Sequence, residues 1–230
     1  MKKKTILTVL SFILVVVASI AGTMAYLTDS ESVANTFTVG QVDIVLDETD
    51  VDENGKEIVG SDRVKENEYH LIPGQTYTKD PTITVQPNSE ESYIRMIMTV
   101  HNASAVQTII DNHHLVDFSE LIGGWNKETW VYEGFSEDTT ANTISFEFRY
   151  KVPVGAENTA EELPALFETL IVPSGVNGTE LKNLYDPNGD ANYEDGFKMV
   201  IVGHAIQEAG FADADAAWAA FDEQMGVTEP

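Results

Sequence analysis

Residues 143–154 carry the feature that most constrains the fold, an alternation of apolar and polar side chains. The apolar positions are Ile144, Phe146, Phe148, Tyr150, Val152 and Val154, and the polar positions are Ser145, Glu147, Arg149 and Lys151. A period of two is typical of a β-strand that buries one face. Burying a large apolar side chain contributes roughly 1.5–3 kcal/mol, so the three aromatic residues alone would stabilise the fold considerably. We therefore predict a strand over residues 143–154.

Several other short segments have strand patterns separated by turn signals. We predict strands over residues 82–86, 93–100, 166–172 and 197–206, and a further strand starting at Trp130. The pairs Asn54-Gly55 and Pro73-Gly74 are turn signals because glycine adopts a positive φ without strain. Val200, Ile201 and Val202 are apolar on both faces, which is typical of a strand in the middle of a sheet.

Two segments have helical character, one between predicted strands and one after the last strand. Residues 106–122 are mixed in pattern, and we predict a helical turn or two there. In residues 211–225 the apolar side chains are spaced three and four apart, which places them on one side of a helix; they are Phe211, Ala214, Trp218, Phe221 and Met225. Asp213 or Asp215 can cap its N-terminus. The predicted fold is mainly β, an antiparallel β-sandwich with short helical insertions and a C-terminal amphipathic helix, forming one domain over residues 26–230.

The first 25 residues have the pattern of an export signal. Three lysines at positions 2–4 precede an apolar stretch over residues 6–20. Thr23 and Ala25 then occupy the −3 and −1 positions of a small-residue cleavage site, so the mature chain would begin at Tyr26. Cleavage after Ala21 is an alternative.

An uncleaved membrane anchor is the other alternative for this segment. No charged residue lies between Lys4 and Asp29, a length that can span a bilayer. However, Asp29 and Glu31 follow instead of a basic stop-transfer cluster, and this favours cleavage.

Cleavage before Tyr26 would release an apolar strand-forming segment at the new N-terminus. We call residues 26–39 the N-terminal arm. Its candidate contact residues are Tyr26, Leu27, Val33, Phe37 and Val39. Such an arm can add as a strand to the exposed sheet edge of another molecule, with backbone hydrogen bonds and side-chain pockets. Addition of this head-to-tail kind produces filaments because it does not close on itself.

The N-terminal block also resembles a known family. The segments GTMAYLTD (residues 22–29) and NTFTVGQVDI (residues 35–44) are similar to the start of TasA/camelysin proteins, as are, more weakly, the blocks at residues 72–100 and 203–207. Residues 101–195 show no such similarity. These are Gram-positive exported proteins that a SipW-type signal peptidase processes.

This resemblance implies a jelly-roll sandwich and a role in fibres of the biofilm matrix. It implies that the N-terminal segment of one subunit completes the sheet of the next. The implied partners are further copies of the chain, the SipW-type peptidase and other matrix or cell-wall components. The implied location is extracellular, on the cell surface or in the biofilm matrix.

Charge and cysteine content agree with an extracellular location. Three of the 13 basic residues and none of the 38 acidic residues fall in the first 25 positions, so the mature chain has 10 basic against 38 acidic residues and a net charge of −28. This charge argues against nucleic acid or an anionic membrane as a partner. The absence of cysteine fits a Gram-positive exterior better than a small disulfide-bonded module.

Some camelysin-type relatives are classed as metallopeptidases, and such an activity would require a zinc site. A zincin motif places two histidines one helical turn apart with a glutamate between them, and the chain has no His-Glu-x-x-His. The histidines are His70, His101, His113, His114 and His204. Their spacing favours ordinary surface or core roles over zinc, so no catalytic residue is assigned.

Two acidic segments are candidate calcium sites. Asp50, Asp52 and Asn54 alternate as in the first half of an EF-hand loop, although Ser61 stands where the loop needs a glutamate. Asp186, Asn188 and Asp190 alternate in the same way. Acidic turns without metal are the more common explanation for both segments. Calcium is the one cofactor that the sequence indicates.

Three functions follow from these observations. The first is a structural, non-enzymatic TasA-like subunit of extracellular fibres that assembles through its N-terminal arm. The second is a camelysin-like secreted metalloendopeptidase. The third is a calcium- or carbohydrate-binding surface module, for which Trp125, Trp130 and Trp218 are the aromatic candidates, although core packing is the more frequent role of tryptophan.

Overall fold

The computed structural model describes residues 41–190 and 195–226. In this part of the chain the fold is mainly β and every strand pairing is antiparallel, consistent with the predicted β-sandwich. The strands are β1 (Ile44–Asp47), β2 (Thr76–Thr78), β3 (Thr82–Val85), β4 (Ser89–His101), β5 (Ile122–Gly123), β6 (Trp130–Asp138), β7 (Thr143–Tyr150), β8 (Val154–Ala156), β9 (Glu161–Glu162), β10 (Thr169–Ile171) and β11 (Met199–Gln207). The helices are α1 (Ala103–Asn112), α2 (Gly178–Tyr185) and α3 (Ala214–Met225), with a 3-10 turn at Phe118–Leu121.

The strands form three sheets among the described residues. The largest has the order β11-β4-β7-β6, and β8 also pairs with the start of β4. The two smaller sheets have the orders β1-β3-β9 and β2-β10-β5. β11 and β6 are therefore the two edges of the largest sheet.

β4 provides the centre of the core. Ile94, Met96, Met98 and Val100 alternate along the strand and are each at most 1% exposed, as their spacing predicts. The side chains that point to the opposite face include Arg95, which is also buried. Tyr93, Ile97 and Thr99 on that face are partly buried, and β4 lies between β11 and β7 in the interior of the sheet.

The sheet containing β1 and β3 packs against the inner face of the largest sheet. Ile83 and Val85 of β3 are fully buried, as predicted. A Cβ atom on Gly203 of β11 would lie 2.9 Å from Cδ1 of Ile83 and 3.5 Å from Cδ1 of Ile44. Glycine at this position therefore lets the two layers approach closely.

The turns and helices agree with the sequence predictions. Gly55 and Gly74 have φ angles of +71° and +80° at the two predicted turns. α1 and the 3-10 turn supply the helical insertion expected within residues 106–122. The Asp213 side chain caps α3 by accepting a hydrogen bond from the backbone N–H of Ala216 at 2.9 Å.

Two strand predictions are wrong in part. The strand predicted over residues 143–154 ends at Tyr150, and Val152 is 56% exposed. Pro153 has no N–H to donate to a strand ladder, and the chain then pairs again with β4, nearer its start, as β8. The apolar segment at Val200–Val202 lies in β11, at an edge of the largest sheet and not in its middle.

Candidate functional site

The predicted cleavage site and N-terminal arm lie outside the described residues. This applies to Thr23, Ala25 and Tyr26 at the cleavage site. It applies equally to the arm residues Leu27, Val33, Phe37 and Val39. Their roles remain predictions, and the structure bears on them through the surfaces that an arm could contact.

The first acidic segment forms a tight hairpin turn. Oδ1 of Asp52 accepts hydrogen bonds from the backbone N–H groups of Asn54 and Lys56 at 2.9 and 3.0 Å. Val51 and Glu57 pair across the turn as an isolated antiparallel bridge. The Asp52 carboxylate therefore already satisfies backbone donors, and a role in calcium binding for Asp50, Asp52 and Asn54 stays a prediction.

The second acidic segment is also organised by its own hydrogen bonds. Oδ1 of Asp186 accepts from the backbone N–H of Asp190 at 3.0 Å, and Nδ2 of Asn188 donates to Oδ2 of Asp195 at 3.0 Å. Over residues 41–190 and 195–226, no group of three or more histidine, aspartate or glutamate side chains is arranged to hold a metal ion.

The histidines do not fit a peptidase zinc site within the described chain. Nε2 of His113 lies 3.1 Å from Oε2 of Glu180, which also accepts from the backbone N–H of Asn177 at 2.9 Å. Nδ1 of His204 lies 3.1 Å from Nε of Arg95. Each of these two histidines is engaged with a different element, so we derive no metal-dependent step.

Two of the three tryptophans belong to the core, which is the role that the sequence favours for them. Trp130 and Trp218 are each 1% exposed. Nε1 of Trp130 donates to the backbone carbonyl of Pro164 at 2.9 Å. Trp125 alone of the three lines a cavity, so the tryptophans do not form a common sugar platform.

The two edge strands of the largest sheet differ in chemistry. β11 has the sequence MVIVGHAIQ, without proline, aspartate, glutamate, lysine or arginine, and it pairs with β4 in nine consecutive positions. Val200 and Val202 of β11 are 43% and 45% exposed. β6 has the sequence WVYEGFSED, with three acidic residues and an irregular register between Tyr132 and Gly134.

A cavity of about 760 Å³ lies on the inner face of β6 and β7, beneath α1 and the 3-10 turn. We call it the aromatic cavity, because six aromatic side chains in its lining contact one another. They are Phe118, Trp125, Tyr132, Phe135, Phe146 and Phe148. Phe118 stacks on Phe146 with ring centroids 5.2 Å apart, and Trp125 meets Phe148 edge to face at 5.2 Å. Tyr132 and Phe135 are 42% and 56% exposed, so part of this aromatic surface faces solvent.

A β-bulge brings Phe135 to the cavity. Tyr132 lies opposite Phe148 and Phe135 lies opposite Phe146, with the extra residue accommodated before Gly134. In a regular strand, the side chains of residues 132 and 135 would point to opposite faces of the sheet. The extra residue in the bulge places both side chains on the same face. Gly134 has a φ of +152°, a backbone region that glycine adopts readily. The residue pattern did not predict this site, although a glycine between two aromatic residues is a signal for a bulge.

The lining also includes charged side chains at exposed positions. Three are acidic, namely Asp117, Glu137 and Asp138, and one of the described lining residues is basic, Lys127. Nζ of Lys127 lies 4.9 Å from the centroid of the Trp125 ring. Burial, with a further contribution from the charge of Asp117, raises the pKa of Tyr132, so its hydroxyl stays protonated.

α3 packs on part of the outer face of β4 and β11, around a buried arginine. Arg95 is 2% exposed, and its guanidinium contacts both carboxylate oxygens of Asp222. It also lies 4.4 Å from the Trp218 ring centroid and 5.1 Å from that of Phe221. Burial, followed by the charge of Arg95, lowers the pKa of His204 beside it. We call Arg95, His204, Trp218, Phe221 and Asp222 the arginine clasp.

Comparison with known proteins bears on the N-terminal part of the chain. Residues 1–77 match a family described as camelysin metallo-endopeptidase, which confirms the TasA/camelysin resemblance over this region. No curated protein and no solved structure matches the chain. The family comprises cell-surface and secreted proteins, and the described part of the chain is compatible with an extracellular location. Within the described residues, the helices are too short or too polar to cross a membrane.

Proposed function

We propose that this protein is an exported subunit of extracellular fibres. In this proposal a SipW-type signal peptidase cleaves before Tyr26, and the N-terminal arm of one copy adds as a strand to β11 of the next. The observation that carries the proposal is the uncharged, regular edge strand β11 in a protein whose family match covers the predicted export signal and N-terminal arm. The assembly would be a head-to-tail filament at the cell surface or in the matrix.

β11 is the better acceptor of the two edges. An edge strand presents unpaired backbone groups that another strand can use, and proteins usually protect such edges with charges, proline or bulges. β11 carries none of these devices among its nine residues, whereas β6 has both acidic residues and a bulge. Half-exposed Val200 and Val202 would also contact an added strand beside them.

The N-terminal arm is long enough for this role. Its 14 residues would extend about 46 Å as a strand, compared with about 30 Å for the nine residues of β11, at roughly 3.3 Å per residue. Phe37 and Val39 alternate with threonines, which suits a strand with one apolar face. The arm therefore has length to cover β11 of a neighbour and to connect the two subunits.

Electron microscopy of two purified forms tests the proposal. One form begins at Tyr26 and the other at Gly40, so they differ only in the arm. We expect fibres from the first form and dispersed particles from the second. Equal fibre formation by both forms would overturn the proposal, as would a form beginning at Tyr26 that stays monomeric in all conditions.

The family description favours one second candidate, a secreted metalloendopeptidase. The histidines of the described residues do not converge on a group that could hold a metal ion, so we assign this candidate no catalytic residue within residues 41–190 and 195–226. Casein hydrolysis that EDTA abolishes and zinc restores would support this function. A mature protein that leaves casein intact with zinc present would count against it.

Calcium binding would be compatible with fibre formation. Bound cations would reduce repulsion among subunits that each carry a net charge of −28. Calorimetry with calcium tests it directly, since heat of binding and a raised melting temperature are expected if either acidic segment is a site. The variant Asp50→Asn should then lose part of that heat.

A further inference from the structure

We propose that the aromatic cavity binds an apolar cation, a molecule with a hydrocarbon or aromatic body and a single amine or quaternary ammonium head. This inference does not depend on fibre formation. The cavity is assigned to no function above, and its volume of about 760 Å³ is in the range of ligand pockets.

The walls provide the contact surface for the apolar body. Phe146 and Phe148 line the cavity from β7, and Phe118 of the 3-10 turn stacks on Phe146. Tyr132 and Phe135 on β6 leave much of their ring surface exposed to solvent. Exposed aromatic side chains clustered around a concavity are unusual on a soluble surface, and an apolar ligand would remove this surface from water.

The exposed lining favours a positive head group. Asp117, Glu137 and Asp138 contribute three carboxylates, while Lys127 is the single base among the described lining residues. Acidic groups beside an apolar cavity raise the local concentration of cations, and the net charge of the mature chain acts in the same direction.

The cavity wall already holds one cation against an aromatic ring. Nζ of Lys127 lies 4.9 Å from the Trp125 centroid, within the distance at which a ring attracts a positive charge. Tyr132 lies 6.1 Å from Trp125, edge to face, and is half exposed. The neighbouring ring thus offers a further aromatic surface to a ligand cation, and the negative charge of Asp117 acts on this ring.

Two probes with the same tail test the charge preference. Decyltrimethylammonium and decyl sulfate, each below its micelle concentration, are titrated into the mature protein beginning at Tyr26, with calorimetry as the readout. We expect the cation to bind at least about tenfold more tightly than the anion. Equal affinities, or tighter binding of the sulfate, would overturn the proposal.

Variants locate the binding. The double variant Tyr132→Ser/Phe135→Ser changes two exposed rings and should weaken cation binding about tenfold. Val131→Ser, on the opposite face of the same strand, is the matched control and should bind normally. Glu137→Gln should weaken binding of the cation several-fold, and Glu162→Gln on β9 is its control. An unchanged affinity of the double variant, with its circular dichroism spectrum intact, would place the ligand elsewhere and refute the proposal.

The test also distinguishes the cation from the N-terminal arm as an occupant of the cavity. The same titration is therefore repeated with protein that begins at Gly40. Similar affinity for the cation in both forms supports the proposal. Binding that appears only after the arm is removed would mean that the arm fills the cavity, and the proposal would then fail.

Discussion

β6 and β11 are opposite edges of one sheet, yet they manage their exposed backbone in different ways. β6 carries three acidic residues and a bulge, and its inner face borders the aromatic cavity. β11 has neither charges nor a bulge, and its outer face adjoins the arginine clasp. The acidic residues and the bulge of β6 disfavour the addition of a further strand. β11 lacks both features, so its exposed backbone is better suited to pair with an added strand.

A charge placed on β11 tests this contrast most strongly. Val202→Lys puts a charged side chain on the uncharged edge, and we expect fibre yield to fall by about tenfold or more because the charge must lose water when a strand is added. Val131→Lys on β6 is the matched control, since both valines are partly exposed, at 45% and 37%. Electron microscopy and light scattering measure the yield. Equal losses in the two variants would remove the distinction between the edges.

Removal of the arginine in the clasp should have the largest effect on stability. Arg95→Met leaves Asp222 without its buried cation, while Glu147 keeps its ion pair with Arg149 at 2.6 Å, and we expect the free energy of unfolding to fall by about 3–5 kcal/mol. Urea denaturation measures the change. The double variant Arg95→Met/Asp222→Leu should recover part of the loss, because no buried charge remains unpaired at that position. A single variant as stable as the parent would show that α3 packs without the clasp.

A change at the bulge sharpens the comparison from the side of β6. Gly134→Ala forces an L-residue to a φ of +152°, and we expect a loss of about 1–3 kcal/mol in the free energy of unfolding. Gly178→Ala, at the first residue of α2 with no atom within 4 Å of the added Cβ, serves as the control and should not destabilise. Identical melting temperatures for both variants would contradict a bulge that requires glycine.

The smallest expected effect is a pH dependence that originates on β11. The pKa of His204 is lowered from 6.5 in the folded state by burial and by Arg95, while Asp222 and Glu147 partly oppose this shift. As the pH falls below about 6.5, the unfolded chain therefore binds more protons than the folded chain. The contribution of His204 to stability is complete above the unfolded pKa and is lost as the pH falls below that value. Urea denaturation between about pH 7.5 and pH 5 measures it.

His204→Gln should reduce that slope. Glu180 does not interfere in this window, because its folded pKa is lowered from 4.5 and its contribution is lost only at more acidic pH. An unchanged slope in His204→Gln would assign the pH dependence to other groups.

Local patterns predicted much of the fold. The alternation in β4 and β3, the turns at Gly55 and Gly74, and the cap of α3 at Asp213 all appear where the sequence places them. Each depends on interactions within a few residues, namely side-chain direction along a strand, backbone preference of glycine, or a side chain that reaches the next turn of backbone.

Predictions that needed a partner strand were less successful. The apolar faces of Val200–Val202 suggested a central strand, but apolarity does not say whether a second strand lies alongside. The aromatic cavity was missed because it requires the register of β6 against β7. The clasp was missed as well, since Arg95 and Asp222 are 127 residues apart in the sequence.

The sequence by itself determined a β-rich protein with a camelysin-type N-terminus and predicted its export, because periodicity, charge and the signal pattern are properties of neighbouring residues. Only the tertiary structure decided which strand lies at an edge, which aromatic rings share a cavity and which carboxylate meets Arg95. These are consequences of long-range strand pairing, whose partners the local residue pattern does not name.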